Sequence, residues 1–324
     1  MLDMVQSYHL CCTANVLRAI SISLACFVVL LGCATRSEVP VPAVAPPPPP
    51  ITSPQLALVL GSGGARGYAH LGVLQAFEEA DIPIDLIVGS SAGSVIGVFY
   101  ADKANSEEVN EIMLNTGFSD FVDLDAFFLP RGFIGGSRLQ RFITQNIEAK
   151  TFEELKIHFI ATGTDLETGE SVELNSGPIA PAINASVALP GLLKPVELYG
   201  HELIDGGVAE PNPVRIAKRY NPQITVAVDL AQDLSETMPR TARGVYSRAI
   251  DIIWAQLNER TLEGADVVIR PTRGSNYGTF AISSQDALYR SGLEAGRASV
   301  PAIRALLEKR GNVDQVGKVV SVNP

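Results

Sequence analysis

Two short apolar runs, each leading through a glycine-containing turn into a helix-like segment, constrain the fold of this chain more than any other feature. The first run is Leu56–Leu60, followed by the glycine-rich stretch Gly61–Gly67. The second run is Leu86–Val88, followed by Gly89–Gly93. Continuous apolar runs of this length are typical of parallel strands buried on both faces. Since apolar residues at helical spacing follow each turn, the sequence predicts strand, turn and helix twice in succession.

Three later apolar segments are also predicted to be strands: 157–162, 224–230 and 267–269. Strands that alternate with helices pack as an α/β sandwich, so we predict a three-layer α/β/α fold with a mainly parallel central sheet. In such sheets the chemistry lies at the carboxyl ends of the strands, where both glycine turns fall. The chain of 324 residues is long enough to bury one large core.

The second turn matches the pattern G-x-S-x-G, with Gly89 and Gly93 on either side of Ser91. Flanking glycines permit a strained turn between strand and helix that lifts the serine hydroxyl clear of the backbone. Ser91 is therefore the candidate nucleophile, and the helix that follows it would stabilise negative charge nearby. The pattern also arises by chance, and an ordinary tight turn with close helix packing is the alternative interpretation.

The first turn offers backbone N–H groups that no side chain shields, and acyl transfer needs two such donors for the oxygen that becomes anionic. Within the turn bounded by Gly61 and Gly67, the predicted oxyanion hole uses the amides of four consecutive residues, Gly63, Gly64, Ala65 and Arg66. Gly63 and Gly64 are the first candidates. Glycine-rich turns between strand and helix also bind phosphates and dinucleotides. Here Arg66 stands in the place of the third glycine of G-x-G-x-x-G and no G-K-[ST] follows, which argues against a nucleotide site.

A third motif places a carboxylate, Asp205, after an apolar pair and before Gly206 and Gly207. A serine hydroxyl is too weak an acid to attack an ester without a proton acceptor, so the site needs a base. Alone, this motif indicates only a turn. His201, four residues before Asp205, is the plausible base of a Ser-His-Asp triad. Of the other histidines, His9 lies in the leader and His158 is predicted to be a core or edge residue of a strand. His70, on the helix after the first turn, is predicted to pack in the fold or to support the site indirectly.

Taken in order, the three motifs resemble those of the patatin-like phospholipases: residues 63–67, Gly89-x-Ser91-x-Gly93, and residues 205–207. Residues 185–190 resemble the segment that precedes the D-G-[AG] motif of this family. The resemblance covers residues 56–307, and three ordered motifs are far more specific than any one of them. It implies the patatin-like version of the α/β/α sandwich.

The resemblance also implies a mechanism, a Ser/Asp dyad without histidine. In that mechanism Ser91 attacks the ester, Asp205 accepts and returns its proton, and amides around Gly63 and Gly64 hold the oxyanion. The implied reaction is hydrolysis of a phospholipid or other lipid ester through an acyl-enzyme. It needs neither an organic cofactor nor a metal such as calcium. Ser62 departs from the family pattern, in which many members have a further glycine, and it leaves the donor set open.

The N-terminal segment resembles a bacterial lipoprotein signal. Residues 19–32 form an apolar run after Arg18, which is short for a membrane span but typical of a signal-peptide core. The run ends at Leu30-Leu31-Gly32-Cys33, which resembles the lipobox, where the cysteine becomes lipid-modified. A buried helix is the alternative interpretation. Residues 34–54 are rich in proline, and prolines at this density favour an extended spacer.

These features predict four regions: a signal peptide over 1–32, a lipidated Cys33 and linker over 33–54, an acyl hydrolase domain over 55–310, and a tail over 311–324. The expected location is the bacterial cell envelope, with a lipid anchor at Cys33 holding the protein at a membrane. The neutral residue Ala34 resembles the second residue of lipoproteins of the outer membrane.

Composition narrows the possible partners of the chain. The formal net charge of −10 argues against binding to nucleic acid, whose phosphates would repel it. All four cysteines lie within the first 33 residues, so the domain is expected to have neither disulfides nor cysteine-based zinc sites. Residues 117–136 are rich in phenylalanine and form either a cap over the site or part of the core. The alternative function is a catalytically silent envelope lipoprotein that binds lipid or protein on the same fold.

Overall fold

The computed structural model describes residues 43–116, 132, 134–234, 237–274, 277 and 284–318. The predicted signal peptide and Cys33 lie outside this part of the chain, as do residues 117–131 and 133 of the predicted cap. Residues 43–54, the described part of the proline-rich linker, contain neither helix nor strand. No helix within the described ranges is long and apolar enough to cross a membrane.

The described residues form a central sheet of eight strands, and its bounds are β1 Leu56–Leu60, β2 Leu86–Ser90, β3 His158–Asp165, β4 Ser171–Leu174, β5 Val196–Leu198, β6 His201–Asp205, β7 Ile224–Val228 and β8 Val267–Ile269. The order across the sheet is β5-β6-β3-β2-β1-β7-β8, and β4 pairs with β3 outside this path. The five strands β3-β2-β1-β7-β8 are parallel, whereas β4, β5 and β6 are antiparallel to their neighbours. The predicted mainly parallel sheet is confirmed.

Helices cover both faces of the sheet, and their bounds are α1 Tyr68–Glu79, α2 Ala92–Lys103, α3 Ser106–Leu114, α4 Ser137–Asn146, α5 Ile179–Ser186, α6 Val214–Lys218, α7 Ala242–Thr261 and α8 Gln285–Lys318. Alternate residues of β1 point to opposite faces. Leu58 packs in the larger buried cluster with α1, α2 and α8, and Val59 packs in the smaller cluster with α6 and with Leu262 after α7. The three-layer α/β/α fold is therefore confirmed.

Two features of the fold differ from the sequence analysis. Strands β4, β5 and β6 were not predicted, because each contains a glutamate, Glu173, Glu197 or Glu202, and two of them, β4 and β5, are only partly buried. Such strands lack the continuous apolar run that identifies a buried strand. Helix α8 continues to Lys318, so the predicted boundary between residues 310 and 311 falls inside a helix. The residues after Leu307 are mainly polar and include Gly311, a poor helix former, so the sequence favours an end of the helix near residue 310.

The register of the sheet brings the predicted motifs to one edge. The glycine-rich turn follows β1 and Ser91 follows β2, so both lie at the carboxyl ends of adjacent parallel strands. Strand β6 returns antiparallel to β3, which places Asp205 opposite Gly163, one residue beyond the pairing of Thr162 with Ser90. The three motifs therefore meet at the carboxyl edge of the sheet, where α/β proteins bind their ligands.

Candidate active site

Ser91 occupies the turn between β2 and α2. Its backbone has φ of 53° and ψ of −117°, a conformation that residues other than glycine rarely adopt. Such strain persists only where the surrounding structure holds it. Here the carbonyl of Ser91 accepts hydrogen bonds from Ser94 N at 2.9 Å and Ser94 Oγ at 2.6 Å. The amide of Ser91 donates to Oγ of the buried Ser186 at 3.2 Å. The turn is thus held from both sides and presents the Ser91 side chain at the edge of the sheet.

Gly89 and Gly93 are required by space rather than by backbone conformation. A Cβ atom on Gly93 would overlap the carbonyl oxygen of Leu60, because α2 begins directly against the end of β1. A Cβ atom on Gly89 would lie 2.6 Å from the carbonyl oxygen of Gly93. The glycines of G-x-S-x-G therefore let the strand, turn and helix pack at backbone contact.

Asp205 lies beside the hydroxyl of Ser91. Its Oδ2 accepts a hydrogen bond from Ser91 Oγ at 2.6 Å, and its Oδ1 accepts one from Gly207 N at 2.8 Å. The carbonyl of Asp205 accepts from Thr164 Oγ1 at 2.8 Å, which fixes the residue at the end of β6. A Cβ atom on Gly206 would overlap the carbonyl of Thr162, so this glycine allows β6 to pack against β3.

Burial changes the acidity of Asp205. The residue is 4% exposed, and burial raises the pKa of its carboxyl group from 3.8 to about 6, although the hydrogen bonds from Ser91 and Gly207 favour the ionised form. Asp205 is therefore a stronger proton acceptor than an exposed aspartate, yet it remains largely ionised at neutral pH. A carboxylate with this pKa, in contact with a hydroxyl, is suited to general-base chemistry.

His201 does not reach either of these residues. It lies at the start of β6, and four residues of strand separate it from Asp205 by roughly 13 Å. Its Nδ1 lies 2.6 Å from Oδ2 of Asp165, and its side chain is 45% exposed. Hydrogen bonds from Thr168 and from His201 hold the pKa of Asp165 down at about 2. The arrangement needed for a Ser-His-Asp triad with His201 is therefore absent among the described residues.

The other two described histidines also lie away from Ser91. His158 is exposed at the amino end of β3, the opposite edge of the sheet. His70 is fully buried on α1, and burial lowers the pKa of its imidazole to about 4, so the ring is neutral. Its Nε2 donates a hydrogen bond to the carbonyl of Gly61 at 2.8 Å, and this bond helps to fix the start of the glycine-rich turn. The predicted packing role of His70 is confirmed.

The glycine-rich turn forms a 3₁₀ helix over Gly64–Gly67, and Gly64 has a positive φ of 57°. The amide of Arg66 donates to the carbonyl of Gly63 at 3.2 Å within this turn. The prediction that Arg66 supplies an oxyanion donor is therefore wrong, because 3₁₀ geometry uses its N–H internally. The amides of Gly63, Gly64 and Ala65 donate to no acceptor in the described part of the chain. Three of the four predicted donors are thus available to a ligand.

The structure adds a further candidate donor, Ala92, and a connecting role for Ser62, neither of which was predicted from the sequence. The amide of Ala92, directly after Ser91, also has no acceptor among the described residues, and Gly67 packs against Ala92. The general geometry of G-x-S-x-G turns could have identified this donor, since the residue after the nucleophile commonly contributes one. Ser62 Oγ donates to Ser90 Oγ at 3.0 Å and lies against Gly207, so it connects all three motifs.

The remaining motif glycines lie where another group approaches closely. A Cβ atom on Gly61 would overlap Oδ1 of Asn212, and one on Gly63 would lie 2.8 Å from the Leu230 side chain. No cluster of three or more His, Cys, Asp or Glu side chains able to hold a metal occurs within the described ranges. The chemical groups at this edge are therefore a serine hydroxyl, a buried carboxylate and several backbone amides.

Comparison with known proteins places this site in a family context. Residues 58–218 match the family model described as patatin-like phospholipase, and this range contains both Ser91 and Asp205. An uncharacterized NTE family protein of Mycobacterium tuberculosis is 37% identical over 179 residues, which cover 55% of this chain and 50% of that protein. The chain spans about half the length of the first curated relatives that it matches.

Two further proteins are similar to this chain. Patatin-like phospholipase domain-containing protein 6 of Homo sapiens is 30% identical over 218 residues, which cover 64% of this chain and 15% of that protein. The crystal structure of VipD from Legionella pneumophila superposes with a TM-score of 0.50 at 14% sequence identity, covering 81% of this chain and 68% of that one. The likeness to VipD concerns the fold alone.

Proposed function

This chain belongs to the patatin-like phospholipase family, and from that premise we propose that it hydrolyses carboxylic esters of lipids, in phospholipids or lysophospholipids, through an acyl-enzyme on Ser91. The observation that carries the proposal is the 2.6 Å hydrogen bond from Ser91 Oγ to the buried carboxylate of Asp205. The family supports a lipid substrate for this chain, since relatives carry the names phospholipase and lysophospholipase.

In the proposed mechanism Ser91 Oγ attacks the carbonyl carbon of the ester while Asp205 accepts the hydroxyl proton. The oxygen that becomes anionic is held by backbone amides, for which Gly63, Gly64 and Ala92 are the candidates. Asp205 then returns the proton to the departing alcohol, which leaves the acyl group on Ser91. Water then attacks the acyl carbon while Asp205 accepts a proton from it. The bond between the acyl carbon and Ser91 Oγ breaks, Asp205 returns the proton to Ser91 Oγ, and the fatty acid is released.

The raised pKa of Asp205 predicts the pH dependence of the reaction. Below the folded-state pKa of about 6 the carboxyl group is protonated and has no capacity to accept the Ser91 proton. We therefore expect kcat/KM to fall about tenfold per pH unit below pH 6 and to level off above about pH 7. Hydrolysis of a short-chain ester, with the released acid quantified by chromatography, gives the profile. A rate that stays flat between about pH 5 and pH 8 would contradict Asp205 as the base.

The proposed activity itself is tested with the purified protein. We expect a fluorophosphonate to modify Ser91, identified by mass spectrometry of the labelled peptide, and fatty acid to be released from phospholipid or lysophospholipid. A panel of head groups and chain lengths would then define the substrate. If neither labelling nor release occurs in a protein that is folded by circular dichroism, the alternative of a catalytically silent lipoprotein on the same fold gains support.

We also propose that the protein is anchored in the bacterial cell envelope by lipid on Cys33, with the proline-rich residues 34–54 as a spacer. The support is the apolar run that ends at the lipobox-like sequence Leu30-Leu31-Gly32-Cys33. Mass spectrometry of the mature N-terminus, isolated from a Gram-negative host, is expected to show an acylated cysteine at this position. A chain that retains residues 1–32 without modification would refute the anchor.

A further inference from the structure

The first three turns of helix α7 expose a group of large apolar side chains to solvent. Val245 is 56% exposed, Tyr246 70% and Ile253 59%, and Ile250 and Ile252 are also exposed. No residue of α7 is buried, although the helix is 20 residues long. Apolar side chains clustered at an exposed surface commonly mark an interaction site. These five residues are called the α7 apolar face below.

The α7 apolar face is one continuous surface. At 100° per residue, its five side chains fall within a sector of about 160° around the helix axis. Arg243 and Arg248 lie at the two edges of this sector. Helix α7 is thus amphipathic in its N-terminal half, but its apolar side faces solvent instead of the sheet. In an ordinary surface helix the apolar stripe faces the core.

The topology places the start of α7 at the same edge of the sheet as the candidate active site. Helix α7 connects β7 to β8, which are neighbouring parallel strands, so it begins at the carboxyl edge of the sheet, where Ser91 also lies. A helix of 20 residues is about 30 Å long. The strands that it connects have five and three residues, or about 10–17 Å. The helix is therefore much longer than the strands that it connects.

The C-terminal half of α7 is the part that packs on the protein. Leu262, directly after the helix, is buried with Val214 of α6, and the Asn212 side chain donates to Asn258 Oδ1 at 3.1 Å. The N-terminal half consequently extends past the carboxyl edge. The loop that leads into it contacts the glycine-rich turn, since Gln232 Oε1 accepts from Arg66 Nη1 at 3.4 Å.

The charge of this region is opposite to that of the whole chain. Residues 237–253 contain Arg240, Arg243 and Arg248 and one acidic residue, Asp251, whereas the chain has a formal net charge of −10. At 100° per residue, Asp251 lies on the side of the helix opposite the α7 apolar face. Arg240 and Arg243 are exposed, and Arg248 donates to the carbonyl of Thr237 at 3.3 Å. Arginines that flank an exposed apolar face complement the anionic head groups of a lipid surface.

We propose that residues 242–253 of α7 form a docking helix that inserts the α7 apolar face into the surface of an anionic lipid bilayer and so holds the Ser91 edge against the membrane. The proposal rests on the proposed function, since it identifies the substrate as lipid presented in a bilayer. A bilayer accommodates a projecting helix by burying its apolar face at the depth of the head groups, with the arginines at the lipid phosphates. Overall repulsion by the acidic chain is overcome locally, because the arginines lie within a Debye length of the surface.

The single tryptophan of the chain, Trp254, makes a site-specific test possible. In the full chain carrying Ser91→Ala, Cys33→Ser and Trp254→Phe, a new tryptophan is introduced by Tyr246→Trp. The matched control introduces it by His158→Trp, at an exposed position on the opposite edge of the sheet. Vesicles of phosphatidylcholine with phosphatidylglycerol, containing brominated acyl chains, are expected to quench the tryptophan at 246 strongly and the one at 158 very little.

Further variants separate the two contributions to docking. Replacing Arg240 and Arg243 by glutamine is expected to weaken vesicle binding about fivefold per arginine. The protein with both arginines intact should also bind less tightly to vesicles of phosphatidylcholine alone than to vesicles that contain phosphatidylglycerol. Ile253→Ser is expected to weaken binding about five- to tenfold on both kinds of vesicle, since it removes part of the inserted apolar surface.

Equal quenching at the two positions, or none at either, would overturn the proposal. It would also be overturned if sedimentation showed a dimer that Ile253→Ser dissociates, because the α7 apolar face would then bind a second copy of the chain. These measurements use a Ser91→Ala background and do not depend on catalysis. Hydrolysis of a soluble ester by the same variants with Ser91 restored tests the proposed function separately.

Discussion

Replacing Asp205 with asparagine is expected to abolish ester hydrolysis nearly as completely as replacing Ser91 with alanine. The amide of asparagine keeps the size of the side chain but has no capacity to accept the proton of Ser91 Oγ, to which Asp205 Oδ2 is directly hydrogen-bonded. The expected loss of kcat/KM is on the order of 10⁴-fold or more for each variant. Steady-state hydrolysis of a soluble ester, with the concentration of folded protein determined by absorbance, measures both.

His201→Ala is the matched control for this pair. Since His201 bonds to Asp165 and lies roughly 13 Å along β6 from Asp205, we expect most of the activity to remain. In a triad, loss of the histidine would be as severe as loss of the serine. An inactive His201→Ala protein with a near-normal Asp205→Asn protein would overturn the dyad. An active Ser91→Ala protein would overturn the serine mechanism as a whole.

Asp205→Asn is also expected to change the stability of the folded chain. Measuring that stability distinguishes a loss of catalysis from a loss of folding. The pKa of Asp205 is about 6 in the folded chain and 3.8 in its ordinary state, so ionisation disfavours the folded state above pH 6. The difference corresponds to about 3 kcal/mol. Asparagine removes this term, so Asp205→Asn is expected to unfold at an equal or higher temperature than wild type at pH 8. The advantage should disappear below about pH 4, where wild-type Asp205 is protonated in both states.

Gly93→Ala is expected to damage both stability and catalysis, although alanine has the higher helix propensity by roughly 1 kcal/mol. The added methyl group would overlap the carbonyl of Leu60, so α2 has to move away from β1. Overpacking of this kind typically costs about 1–3 kcal/mol. Because Ser91 lies two residues earlier, a shift near 1 Å is also expected to lower kcat on the order of 10²-fold. Thermal unfolding and ester hydrolysis report the two effects.

Gly163→Ala provides the comparison for this prediction. Gly163 is buried on β3 opposite Asp205, but an added Cβ would meet only the Leu203 side chain at 3.4–3.6 Å, which is ordinary contact. We expect its stability to stay within about 1 kcal/mol of wild type, and its activity to be nearly unchanged. If Gly93→Ala behaved like Gly163→Ala, the close contact between α2 and β1 would not matter for the site.

Several parts of the fold and site follow from local patterns along the chain. Leu56–Leu60 and Leu86–Ser90 are buried on both faces, and a strand in that position needs an uninterrupted apolar run. The turn at Ser91 needs glycines on both sides, because strand and helix approach at backbone distance. Burial and close approach leave their mark on neighbouring residues. The α/β/α fold and the position of Ser91 at the edge of the sheet were therefore predictable.

Other features depend on contacts between residues far apart in the chain. Ser91 and Asp205 are 114 residues apart, and they meet because β6 returns antiparallel to β3 through short strands that carry no strong pattern. The use of the Arg66 amide inside the 3₁₀ turn was not predictable, since a glycine-rich sequence is compatible with several turn geometries. The pairing of His201 with Asp165 likewise depends on how β6 aligns with β3.

Helix α7 shows the difference between the two levels most clearly. In an ordinary surface helix, apolar residues at the spacing found in α7 face the core. Only the tertiary structure decides that the apolar side chains in the N-terminal half of this helix remain exposed. The sequence by itself determined which segments become strands, turns and helices, because those depend on neighbouring residues. The three-dimensional packing decided which side chains meet and which apolar surface remains exposed, because those depend on chain segments that the local pattern does not relate to one another.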